Sequence, residues 1–133
     1  MVKPNMVIDN SDRWRTGVFG TYDRVTNTIT LSHVCIEHKI YSILVHERLH
    51  HLQYELMGMV RNDIGDISFS ISGVTLTTEE LENYTKLSTS LIMEIVPTKG
   101  LVEPAVYDKD YDYNMGIVNR MVSLYFTVNW SFR

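Results

Sequence analysis

The sequence predicts an α+β domain, on the strength of three observations. Residues 16–32 (TGVFGTYDRVTNTITLS) place β-branched and apolar residues on either side of a turn-forming run. Residues 35–57 run without glycine or proline, and Gly58 follows as a C-cap. Residues 78–96 are a second such stretch, opened by Thr77 or Thr78 and closed by Pro97. Strand signals followed by helical ones argue for a small sheet packed on helices. The 133 residues fit one domain, 1–133, because a second core could not be filled at this length.

Residues 1–15 are irregular, apart from Met6, Val7 and Ile8, which suit a short strand. Val18, Thr21, Thr28, Ile29, Thr30 and Leu31 supply the two strands of a hairpin, and residues 23–27 supply its turn. Residues 35–57 predict one helix of roughly six turns at 3.6 residues per turn. Residues 61–76 are mixed, with Ile67, Phe69 and Ile71 alternating as in a strand. Glu79, Glu80 and Glu82 suit the positive end of the second long helix. A third helix is expected from residue 112 to about residue 126, with Val118, Met121, Val122 and Tyr125 on one side.

Composition bounds the class without naming the chemistry. Apolar residues make up 44% and charged residues 21%, as in soluble globular proteins. A net charge of -4 with no Lys/Arg cluster argues against a nucleic-acid partner. No apolar run is long enough to span a bilayer, and the first residues lack the pattern of a secretion signal. A lone cysteine, Cys35, excludes an internal disulfide. A cytoplasmic protein without a membrane partner is the expectation.

The chemistry is concentrated in Leu44-Val45-His46-Glu47-Arg48-Leu49-His50-His51-Leu52-Gln53. His46 and His50 are four residues apart, so on a helix their imidazoles leave the same face and can share one metal ion. Two neutral imidazoles suit zinc. Glu47 lies about 100° round the helix from His46, beside the metal rather than on it, where a carboxylate can take a proton from metal-bound water. This is the reason for the HExxH spacing. Helical phase places Val45, Leu49, Leu52 and Leu56 towards the core and Glu37, Arg48 and Glu55 towards solvent. His46, His50 and Gln53 border the core stripe, His51 turns towards solvent, and His33 and His38 are ordinary.

Zinc with an open position needs a third protein ligand. No histidine follows His51, so the third ligand is a carboxylate or comes from upstream, and the candidates are on the second helix. Tyr84, Leu87, Leu91 and Ile95 form its apolar stripe, edged by Leu81, Ser88 and Ile92. Glu79, Glu82, Lys86 and Thr89 face away. Glu80 falls within the stripe, where a carboxylate is costly unless paired or bound to a cation. Glu80 is therefore the first choice and Glu94 the second; compensation of the helix dipole is the plainer role for Glu80.

With these residues the chain resembles the minimal, single-domain members of the gluzincin branch of HExxH zinc metallopeptidases. The matching residues are His46, Glu47 and His50, then Glu80 in Glu80-Leu81-Glu82-Asn83-Tyr84; Asn83 stands where those proteins have a small residue. The segment 44–53 is similar to the L-x-H-E-x-x-H-x-x-Q form of small bacterial and phage peptidases. The resemblance implies a zincin-like fold, with a small hairpin or sheet packed on an HExxH helix and a second, glutamate-bearing helix. It implies zinc bound by His46, His50 and Glu80, catalysis through Glu47, and a peptide or protein substrate. It further implies that the last strand before the active-site helix, residues 26–31, is an edge able to pair with that substrate. Tyr107, Tyr111 and Tyr113 are candidates for stabilising an oxyanion. The competing expectation is a catalytically inactive zincin-like domain with a binding, regulatory or phage structural role.

Overall fold

The structure is a computed structural model, and it describes residues 3–11, 19–38, 40–62, 65–69, 73–96 and 107–130. Among these residues the fold is α+β, with four helices and two three-stranded sheets. Val18, Ile71 and Pro97, which the sequence reading used, lie outside the described residues.

The first sheet contains β1 (Asn5–Asp9), β2 (Gly20–Asp23) and β3 (Thr28–Ser32), in the order β1-β3-β2. The expected hairpin is β2 and β3, paired antiparallel with Tyr22 opposite Ile29. Its turn is built from the predicted residues. Asp23 Oδ1 accepts from the Val25 amide at 2.8 Å, and Asn27 adopts a positive φ of 49°. The expected edge at residues 26–31 is not an edge. β3 is the central strand, because β1 pairs with it in parallel along its whole length. Ile29 and Leu31 are buried on β3, and the half-buried Thr28 and Thr30 alternate with them. Among the described residues, β2 is the sheet edge that lies against the long helix.

The helix expected over 35–57 is divided into α1 (His33–Glu37) and α2 (Tyr41–Glu55). Ser32 caps α1 by accepting from the Val34 amide. The Ile40 amide donates to the Cys35 carbonyl at 2.9 Å, one residue further back than an α-helix allows. Cys35 and Ile40 are both buried, yet on a straight helix they would point about 140° apart. The break lets both reach the core.

The segment after α2 is a second, antiparallel sheet rather than a single strand. It contains β4 (Met59–Arg61), β5 (Ile67–Phe69) and β6 (Thr75–Leu76). Helix α3 (Thr78–Ile95) begins at a capping box. The Thr77 hydroxyl accepts from the Glu80 amide and the Glu80 carboxylate accepts from the Thr77 amide, each at 3.1 Å. Helix α4 (Met115–Thr127) is capped by Asn114 and begins three residues later than expected. Helices α2, α3 and α4 pack on the second sheet around Leu49, Leu52, Phe69, Tyr84, Ile92, Val118 and Met121. No helix among the described residues is long and apolar enough to cross a membrane.

Helix α4 and Trp130 cover the side of α2 that the sequence assigned to solvent. Arg48 is buried there, donating to Tyr41 Oη at 3.0 Å and Tyr125 Oη at 3.1 Å, with its guanidinium over the Trp130 ring. His51 is likewise buried, in edge contact with Tyr22 and Trp130. Further round α2, beside His51, β2 approaches closely at Gly20, where a Cβ would stand 2.8 Å from Ile43 Cγ2 and 3.2 Å from Glu47 Cγ. Gly20→Ala is expected to push β2 off α2 and to lower stability by about 1–3 kcal/mol, the usual cost of overpacking. Denaturant unfolding measures it, and an unchanged midpoint would mean that the two elements are not in tight contact.

Candidate metal centre

His46 and His50 leave the same face of α2, and their Nε2 atoms are 3.1 Å apart. Among the described residues, His46, Glu47 and His50 form a group whose potential ligand atoms all lie within 4.8 Å of one another. The carboxylate in direct contact with the imidazoles comes from α3. Glu82 Oε2 is 3.2 Å from His46 Nε2, and Glu82 Oε1 is 3.1 Å from His50 Nε2. Glu47 is buried next to them.

Glu80, the expected third donor, is committed elsewhere. Its carboxylate closes the capping box and also accepts from the Tyr111 hydroxyl. Glu94 is exposed near the end of α3. Glu82 is the α3 glutamate brought to the histidines, because the inward face of α3 is rotated from the expected stripe. Thr85 and Thr89 are buried and Ile95 is exposed, the reverse of a reading by apolarity alone. Each threonine spends its hydroxyl proton on the carbonyl four residues back, at 2.8 Å for Thr85 and 2.7 Å for Thr89. A threonine satisfied in this way is no longer costly to bury. Glu82 lies one turn before Thr85 and two turns before Thr89 on the same side and so faces α2.

The charges reinforce one another. Burial alone would raise the Glu82 carboxyl. Hydrogen bonds from His46 and His50, with their positive charge, outweigh burial and hold it well below its ordinary value. His50 is pulled down by burial, but the Glu82 hydrogen bond and the charges of Glu47 and Glu82 leave it raised. Burial pushes the Glu47 carboxyl up, with the two imidazoles pulling the other way. His51 is lowered by burial and shares a 3.3 Å hydrogen bond with the Tyr22 hydroxyl, so it is a neutral packing group.

The donor set fits zinc. Donors about 2.0–2.1 Å from a tetrahedral centre are about 3.3 Å from each other; here the two Nε2 atoms are 3.1 Å apart and the Glu82 carboxylate straddles them, Oε1 at 3.1 Å from His50 and Oε2 at 3.2 Å from His46. Two imidazoles and one carboxylate also match zinc's donor preference and leave a fourth position open. Tyr107, Tyr111 and Tyr113 are not brought to the histidines. They pack edge to face with Tyr84 and with one another, and the Tyr111 hydroxyl donates to Glu80. Comparison with protein-family models, with curated proteins and with solved structures gives no match to this chain.

The charge pattern predicts a pH dependence in chelator-treated protein. The lowered Glu82 contributes stability above its ordinary value of 4.5 and loses it as pH falls below that value. The raised His50 contributes stability below its ordinary 6.5 and loses it as pH climbs through its raised value. Glu82→Gln is therefore expected to lower the melting temperature most between about pH 4.5 and pH 6.5, with the difference from wild type shrinking on both sides. Thermal melts across pH measure it, and a pH-independent difference would show that no such ion pair forms.

Proposed function

We propose that the protein is a zinc-dependent peptidase with His46, His50 and Glu82 as metal ligands and Glu47 as the general base, on a zincin-like scaffold. The observation that carries this reading is a pair of Nε2 atoms 3.1 Å apart, bridged by the two oxygens of the Glu82 carboxylate at 3.1 and 3.2 Å, with a further buried carboxylate beside them. When bound, zinc supplies a Lewis acid that polarises a carbonyl and acidifies water.

The remaining work falls to the chain's own residues. Glu47 follows His46 directly, so its carboxylate stands beside the ligand set rather than within it. Its raised carboxyl accepts a proton more readily than an exposed glutamate and can return it to the leaving amine. In the metal-free protein the positive charge of the neighbouring imidazoles limits that rise. Glu82 would offset the charge that a divalent ion brings to a partly buried site.

A peptide substrate is favoured by the placing of β2. This edge strand approaches Glu47 closely enough at Gly20 to leave no room for a side chain. An extended chain pairing with β2 through its backbone would pass directly beside the base.

The protein is expected to bind one zinc per chain. Glu82→Ala should abolish binding, whereas Glu80→Ala should keep it and cost about 1 kcal/mol of stability through the lost cap. Metal analysis with chemical unfolding separates the two, and zinc loss on Glu80→Ala with retention on Glu82→Ala would refute the ligand assignment. Glu47→Gln should retain zinc and cut hydrolysis of an unstructured protein substrate roughly 10²–10⁴-fold. Zinc at full occupancy with no turnover in wild type would leave a non-catalytic, metal-holding domain.

A further inference from the structure

Gln53 and Thr85 are fully buried polar side chains, one on each of the two helices that carry the candidate ligands. Such groups are costly unless their polar atoms are used. Thr85 donates its hydroxyl proton to the Leu81 carbonyl at 2.8 Å. Its oxygen is then left to accept, and Gln53 Nε2 donates to it at 2.9 Å. The same amide nitrogen faces Met121 Sδ at 3.8 Å, a weak acceptor that also takes the Ser88 hydroxyl. A flipped amide would set its oxygen against that sulfur and give up both donations. With the nitrogen placed by Thr85 and Met121, Gln53 Oε1 faces His50 Nδ1 at 3.0 Å. An amide oxygen only accepts, so Nδ1 carries the proton.

We infer that Gln53 and Thr85 are positioning residues that hold His50 with its proton on Nδ1, so that Nε2 is the nitrogen presented to a cation. The purpose of this relay rests on the metal reading above, but the proton's position does not. A ligating histidine is oriented by the hydrogen bond its other nitrogen makes, and loss of that partner weakens metal binding. Thr85 lies one turn after Glu82 on α3. One helix thus supplies a carboxylate to His50 Nε2 and, through Gln53, sets the proton on His50 Nδ1. When no cation is bound, a second proton on Nε2 meets Glu82 at 3.1 Å while the Nδ1 proton stays on Gln53. The relay also ties α2, α3 and α4 together at one point, because Met121 belongs to α4.

The test uses the full chain, with zinc as the probe. Long-range proton–nitrogen NMR reports which His50 nitrogen bears hydrogen, in metal-free protein and after zinc addition. Competition with a chromophoric chelator gives zinc affinity for wild type, Gln53→Leu, Gln53→Glu, Thr85→Val and Thr85→Ser. The expected result is a protonated Nδ1 in both wild-type samples. Gln53→Leu should weaken zinc binding about 10–100-fold, with Thr85→Val acting in the same direction. Thr85→Ser, which keeps the hydroxyl, should stay close to wild type, and Gln53→Glu, which keeps the acceptor for His50 but loses the donation to Thr85, should fall between wild type and Gln53→Leu. A bare Nδ1 with the proton on Nε2 in neutral, metal-free wild type would overturn the inference, and so would wild-type affinity in both Gln53→Leu and folded Thr85→Val. If wild type binds no zinc, the metal reading fails and the position of the His50 proton alone decides the relay.

Discussion

The contact between α2 and α3 at Glu82 is the constraint on which the rest of the site depends. Two histidines one turn apart on a helix are common; a carboxylate held at hydrogen-bond distance from both Nε2 atoms requires a second helix at a fixed rotation and height. That rotation is set by polar groups more than by apolar ones. Thr85 and Thr89 turn inward because their hydroxyls are satisfied within α3, and Gln53 bonds across to Thr85 at 2.9 Å. Had α3 packed on a purely apolar stripe, Ile95 would be covered and Glu82 would point to solvent.

Helix α2 is enclosed on nearly every side. The first sheet lies against it at Gly20 and Tyr22, α3 at Gln53 and the histidines, and α4 with Trp130 at Arg48 and His51. Buried polar side chains on such a helix each need a partner. Arg48 finds two tyrosine hydroxyls and an aromatic face, His51 finds Tyr22, and His50 finds Gln53 and Glu82. The outcome is a closely packed helix with a pair of mostly buried imidazoles near its surface, which is the preorganisation a metal site needs.

Much of this was legible in the residues, and the misses arise where contacts with the rest of the fold override local pattern. The hairpin, the cap at Thr77, the third helix and the pairing of His46 with His50 follow from local pattern, which does not depend on the rest of the fold. The break at residues 38–40 was hidden because it answers to the separate burial of Cys35 and Ile40 rather than to a glycine or proline. Arg48 and His51 read as solvent-facing because polarity was taken for exposure, and α4 reverses that. Glu80 against Glu82 turned on the same assumption. The spacing Thr77-x-x-Glu80 is itself a capping-box signature, so the sequence held a local use for Glu80. Nothing local marked Glu82, whose role comes from the helix facing it.

The most direct test of the account is X-ray absorption at the zinc edge on the metal-loaded full chain, wild type beside Glu82→Gln. The account predicts only nitrogen and oxygen neighbours at about 2.0–2.1 Å in four-coordinate zinc, with the multiple-scattering signature of two imidazoles, and a disturbed light-atom shell in the variant. Sulfur at about 2.3 Å, a single imidazole, or an unchanged shell in Glu82→Gln would contradict it.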